Sequence, residues 1–252
     1  MNQDASLSRD QPDAIAELPP PWGFWATLGW AVLPLLIGFS TIAAAVLWLN
    51  WGQIDKMPEL HHDPSLPLQL IVINTLQVAM AALAARLAQW PVGSYLGLTR
   101  PRGLDVLIGI AAVVVVMLLL EGLTYLLGRA HVTPFQVDSY GAARAAGTLA
   151  LLWLAFVIVA PTCEEIVFRG FLFRGWAASP LGAPGTILLT SAIFAIAHTQ
   201  YDWFGALQTF CMGALFGVLR WRSGSTTLTI ILHMLINFVA TAWSALKVAG
   251  LV

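Results

Sequence analysis

Apolar residues fall into seven segments along the chain, roughly 25–49, 67–89, 105–127, 147–162, 186–200, 203–220 and 226–248. Crossing a bilayer as helix takes about 20 apolar residues, and the first three segments and the last meet that. The fourth is short and gains length if helix continues into the polar stretch after it. The fifth and sixth are also short, with only Thr199 to Asp202 as their turn, and predict a tight helical hairpin. Backbone groups in lipid must be satisfied within their own segment, so such runs are helices. The predicted fold is all-α, a multi-pass transmembrane bundle of about seven or eight helices.

Between the fourth and fifth segments, 162–177 mixes Glu164, Glu165, Arg169 and Arg174 with Phe168, Phe171, Leu172, Phe173 and Trp176. This pattern predicts a partly buried or interfacial amphipathic helix. Ser179-Pro180 and Ala183-Pro184-Gly185 then mark a turn.

Composition agrees with the pattern. Hydrophobic residues make up 58% of the chain and charged residues 10%, where a soluble domain carries about 25% charge. Much of the surface is therefore expected to face lipid. The net charge of −1 supplies no field to suggest nucleic acid or an acidic partner, and the charge deficit makes membrane lipid the expected surroundings; a polypeptide substrate is expected only if the polar residues below carry out peptide hydrolysis. Cys163 and Cys211 lie in or beside apolar segments and imply no disulfide framework. Residues 1–22 are acidic and Pro-rich, expected as a disordered tail rather than a signal peptide, which would start basic. Trp22, Trp25, Trp48, Trp51, Trp90, Trp221 and Trp243 lie near segment ends, as interfacial anchors do. An N-terminus in the cytoplasm gathers Arg9, Arg86, Arg100, Arg102, Arg174, Arg220 and Arg222 on that side. It leaves Lys56, Arg129, Arg144 and Lys247 on the other. The positive-inside rule thus favours N-in, in a cell (inner) membrane.

Ionisable residues within apolar segments cost free energy and are functional candidates. Glu164 and Glu165 follow the fourth segment, His198 ends the fifth, and His233 and Asn237 share one face of the last at i, i+4. A scaffold explanation stands beside each. Thr162 to Glu165 fits a helix capping box, Glu165 and Arg169 fit an i, i+4 pair, and His233 with Asn237 fits interhelical hydrogen bonding. The capping box leaves Glu164 unexplained, because a cap needs no second carboxylate. Together these groups suit hydrolysis: Glu164 and His198 could share a water and take its proton, and His233 and Asn237 could donate to an oxyanion. Alternatively Glu164, His198 and His233 could hold a zinc ion with one position open for water. The residues leave both open. No His-Glu-x-x-His is present, nor the Gly-x-Ser-Gly or Gly-x-Gly-Asp of serine and aspartyl intramembrane proteases. Glu121, inside the third span, is a groove or packing candidate. Asp202 reads as a solvated turn residue, and His61 and His62 as surface. A nucleophilic Cys163 is disfavoured by the carboxylates beside it.

In this order the motifs resemble the CAAX-protease and bacteriocin-processing (Abi) family of intramembrane proteases. Glu164, Glu165 and Arg169 match its Glu-Glu-x-x-x-Arg, Phe168 to Gly170 its Phe-Arg-Gly, Phe194 and His198 its Phe-x-x-x-His, and His233 and Asn237 its His-x-x-x-Asn. Tyr95 to Leu98, followed by Arg100-Pro101, is similar to the stretch before a core helix of that family. The resemblance covers roughly 95–245. The apolar segments place N-terminal transmembrane helices over 23–94, and the resemblance implies a protease core over 95–252 with a polar cavity. It also implies peptide-bond hydrolysis carried by Glu164, His198, His233 and Asn237, with Glu165, Arg169 and Phe194 in support. The family includes proteins described as metalloproteases, while its eukaryotic members resemble glutamate-dependent enzymes that need no cofactor; the metal-free form is the expectation here. Some members are non-catalytic immunity or scaffold proteins, which is the alternative for this chain. Substrate and oligomeric state are not written in these motifs.

Overall fold

Each apolar segment is a helix in the computed structural model, which describes residues 20–49 and 62–252. The readings of most of the N-terminal tail, of Trp51 and of His61 fall outside the described residues. The described residues form nine helices in order: α1 Phe24–Leu49, α2 Leu66–Leu87, α3 Val92–Tyr95, α4 Gly103–Leu126, α5 Pro134–Ala145, α6 Leu149–Ala177, α7 Gly182–Ala197, α8 Trp203–Ser223 and α9 Thr226–Val248. Among the described residues there is no strand, and five of these helices are long and apolar enough to cross a membrane: α1, α2, α4, α6 and α9. The chain is an all-α membrane helical bundle. The large apolar side chains on α4 face outward, Leu107, Leu118 and Leu119 among them, as a lipid-facing helix requires.

The fourth segment does extend through the Glu-Glu motif, and of the two readings of 162–177 the partly buried helix holds. The stretch is the second half of α6, and Glu165, Ile166, Val167, Arg169, Phe171, Leu172 and Trp176 are buried there. Glu165 and Arg169 neutralise each other within α6, and bonds to α9 and α8 complete the set. Thr162 is no cap: it lies within α6, and its hydroxyl donates to the Ile158 carbonyl at 2.6 Å.

The sequence reading missed α5, although its start signal is present. The Thr133 hydroxyl accepts from the Gln136 N–H, Gln136 returns the bond to the Thr133 backbone, and Pro134 opens the helix. The hairpin of α7 and α8 is as predicted, joined by residues 198–202. Small residues let the two helices approach: a Cβ on Gly213 would sit 3.2 Å from the Ser191 Cβ, and one on Gly217 would sit 3.0 Å from Ile187.

At one end of the bundle the segment after α3 is stitched to the start of α9. The Thr226 N–H donates to the Gly97 carbonyl (2.8 Å), and its hydroxyl to the Leu96 carbonyl (2.6 Å). The Ser225 hydroxyl donates to the Thr99 carbonyl at 2.7 Å. Arg220 Nε donates to the Arg169 carbonyl and the Thr226 hydroxyl, both at 3.0 Å. At the same end Trp176 Nε1 donates to the Phe24 carbonyl and Trp22 Nε1 to the Ala84 carbonyl. Trp22 is therefore half-buried on α2, not simply an interfacial anchor.

Gly97 has φ +65°, and a Cβ there would lie 2.5 Å from the Arg220 guanidinium. Gly97→Ala is expected to destabilise the protein by about 1–3 kcal/mol. Gly103→Ala, in open space at the start of α4, is expected to be near neutral. Thermal unfolding of both variants in detergent checks this.

Candidate functional site

Adjacent residues on a helix point about 100° apart, and that rotation separates the two glutamates. Glu165 turns into the bundle and is fully buried. Its Oε1 accepts from Arg169 Nη1 at 2.9 Å and from His233 Nδ1 at 2.9 Å. Arg169 Nη2 donates to the Gly213 carbonyl at 2.9 Å, and its guanidinium lies 4.8 Å from the Phe194 ring centroid. One carboxylate thus joins α6 to α9, and its arginine joins α6 to α8. The predicted Glu165–Arg169 pair is present at i, i+4.

Glu164 points into a more open space and its side chain is 24% exposed. Its Oε2 lies 3.8 Å from His233 Nε2, beyond hydrogen-bond length. Because Glu165 can only accept, His233 Nδ1 carries the proton of that bond. Nε2 is therefore the nitrogen presented to Glu164. Charge follows the same division. Arg169 balances Glu165, so Glu164 is the surplus carboxylate of the motif and faces an imidazole.

His198 ends α7. Its Nδ1 lies 2.7 Å from the Phe194 carbonyl, one of the acceptors a helix end leaves free, so Nδ1–H donates and Nε2 is left over. The ring packs at 4.5 Å on Phe194, which also meets His233 edge-on at 6.1 Å. Phe194 thus contacts both histidines. Among the described residues no hydrogen bond or ion pair joins Glu164 to His198.

Asn237 is held by a break in the α6 ladder. Leu154–Val159 is π-helical, and the Ala160 N–H bonds to the carbonyl five residues back, at Ala155. Its successor in that ladder would be position 161 bonding to Phe156, but Pro161 has no N–H. Asn237 Nδ2 donates to the orphaned Phe156 carbonyl instead, at 2.8 Å. An amide nitrogen has two hydrogens, so one N–H of Asn237 remains to donate elsewhere.

A zinc site needs its donors about 2 Å from one point. Among the described residues no three His, Cys, Asp or Glu side chains are grouped in that way; Glu164, His198 and His233 as placed do not fit a metal ion. Glu121 lies on the exposed face of α4, where it pairs with His131. Asp202 is not merely solvated. It pairs with Arg129 and caps α8 through the N–H groups of Phe204 and Gly205. Cys163 is buried. Sequence reasoning missed the packing of Tyr201 on His198, with ring centroids 5.7 Å apart and near parallel. Only the short spacing between the two residues hinted at it.

Fold and site together define a multi-pass helical membrane protein with a carboxylate–imidazole pair set against a buried Glu–Arg unit. Residues 146–239 match the family model described as type II CAAX prenyl endopeptidase Rce1-like, so the family resemblance read from the motifs holds on the segment that carries them. The chain is also similar to a protein of Escherichia coli described as an uncharacterized 24.3 kDa protein. The two are 35% identical over 147 residues, covering 55% of this chain and 63% of that protein. The chain thus spans less than two thirds of the length of that relative. No solved structure matches.

Arg169→Met leaves Glu165 buried without its cation and is expected to cost about 3–5 kcal/mol, seen as loss of folded protein in detergent. Arg169→Met with Glu165→Leu is expected to regain part of it. Pro161→Ala restores an N–H to compete for the Phe156 carbonyl. Asn237→Ala is therefore expected to cost less in that background than alone. The predicted coupling is about 0.6 kcal/mol, read from a double-mutant cycle of unfolding free energies.

Proposed function

We propose that this protein is an intramembrane endopeptidase that hydrolyses a peptide bond near the membrane surface, in CAAX-type or leader-peptide processing. The Rce1-like match over 146–239 supports a protease of this kind. The observation that carries the chemistry is Glu164 facing the Nε2 edge of His233 at 3.8 Å, with the far edge of that imidazole held by Glu165. The gap is too long for a direct bond and suits a small polar molecule seated against both groups.

In this reading Glu164 takes a proton from water while the Nε2 of His198 orients the same water. The water oxygen bonds to the scissile carbonyl carbon, and negative charge develops on the carbonyl oxygen. The free N–H of Asn237 donates to that oxygen, as does His233 when its Nε2 is protonated. The proton held by Glu164 passes to the leaving nitrogen as the C–N bond breaks. Glu165 and Arg169 take no part in proton transfer; they fix the tautomer and orientation of His233. Phe194 fixes the spacing of the two imidazoles. The Lys and Arg distribution supports an inner-membrane protein with its N-terminus in the cytoplasm.

Purified protein in detergent is expected to cleave members of a quenched fluorescent peptide library. Glu164→Gln and His198→Ala are each expected to lower kcat/KM by about 10²- to 10⁴-fold without loss of folded protein, and a chelator is expected to leave the wild type active. Cleavage that survives in Glu164→Gln would remove the proposed base. Loss in chelator with rescue by zinc would replace this mechanism with a metal-dependent one.

A further inference from the structure

A cavity of about 500 Å³ lies between the segment after α4 and the turn from α7 to α8. Phe135, Tyr201 and Phe204 contribute aromatic rings to its lining, and Thr133, Gln200 and Gln208 contribute neutral polar groups. The cavity also has one residue of each charge, and they are spent on each other. Arg129 pairs with Asp202, and its guanidinium lies 4.9 Å from the Phe204 ring centroid. Asp202 Oδ1 is engaged by the start of α8. Burial first, and then the charge on Glu164, pushes the Tyr201 phenol up to about 12, so it too is neutral. The cavity adjoins the hydrolytic residues on two sides. Tyr201 stacks on His198, and Phe135 stacks at 6.2 Å on Phe156, whose carbonyl holds Asn237.

We propose that this cavity is a subsite for a large neutral side chain of the polypeptide substrate, preferably aromatic, next to the scissile bond. The proposal rests on the peptidase reading above. The volume lies within the range of small-ligand sites and accommodates an aromatic side chain. Rings at its walls offer edge-to-face and stacked packing to such a side chain. A charged side chain would lose its hydration, and the two charges that line the cavity are already paired with each other.

Ala130 lines the cavity from its exposed rim, and Ala130→Trp fills the space without touching the hydrolytic residues. The test is a set of peptides identical except for Phe, Ala, Glu or Lys beside the cleaved bond. The wild type is expected to prefer Phe over Ala by about 10- to 100-fold and to turn over the Glu and Lys peptides least. Ala130→Trp is expected to lose most of the Phe preference, its rate on the Phe peptide falling toward its rate on the Ala peptide. Val132→Trp is the second filling variant should the first not accumulate. An unchanged preference in a folded filling variant overturns the subsite. Independently, Glu164→Gln protein is photolabelled with a peptide carrying a benzophenone in place of the Phe ring. Label within 129–135 or 200–208 supports the subsite, and label elsewhere overturns it. Label in the cavity with no wild-type cleavage of any peptide overturns the peptidase reading alone.

Discussion

The buried carboxylate of Glu165 is the constraint on which the rest of the site depends. A carboxylate without solvent must be neutralised and hydrogen-bonded, or the helix that carries it is driven out of the bundle. Arg169 and His233 meet that demand at one oxygen atom, and both are thereby fixed. Arg169 cannot leave without stranding the charge, so α8 must present a carbonyl where Nη2 reaches. Gly213 is small at that position because a Cβ would crowd both Nη2 and Ser191. His233 cannot turn without losing its Nδ1 bond, so Nε2 always faces Glu164. The buried pair thus sets which edge of the imidazole faces Glu164, and the neighbouring glutamates meet different surroundings because the helix points them apart.

A second constraint is Pro161. A proline inside a helix removes a donor and usually kinks the chain. Here the helix widens to a π segment just before it, and α6 runs on to Ala177. The defect leaves the Phe156 carbonyl for a partner outside the helix, and α9 supplies Asn237. The polar pair His233 and Asn237 is tied to α6 at both members, one through a carboxylate and the other through a backbone carbonyl. Such π segments often mark functional positions, and the physical reason is visible here: a regular α-ladder would have no free acceptor to offer.

Much of the fold was legible because lipid makes composition a direct guide to structure. Each apolar segment became a helix, and the four-residue link from Thr199 to Asp202 gave a hairpin. The Glu165–Arg169 pair and the shared face of His233 and Asn237 followed from helical spacing alone. What was not legible depends on contacts between distant residues. The depth to which 162–177 is buried was not legible, because nothing local shows that α8 offers the Gly213 carbonyl to Arg169 and α9 offers His233 to Glu165. The role of Asp202 escaped notice because Arg129 is far from it in sequence. The helix 134–145 is a different case, since Thr133, Pro134 and Gln136 carry a plain start signal that apolar periodicity alone does not weigh.

The site also shows why a polar cluster of this kind must sit at a junction of helices and not on one of them. Glu164 and Glu165 come from α6, the two imidazoles from the end of α7 and the middle of α9, and the carbonyl that steadies Arg169 from α8. No single helix can place an imidazole nitrogen against one carboxylate while holding its other nitrogen on the next. Four helices meeting at small residues can do so, since Gly213 and Ser191 remove the bulk that would keep α7 and α8 apart. The same geometry leaves 3.8 Å between Glu164 and His233, with the Phe194 and Phe216 rings packed against the imidazole.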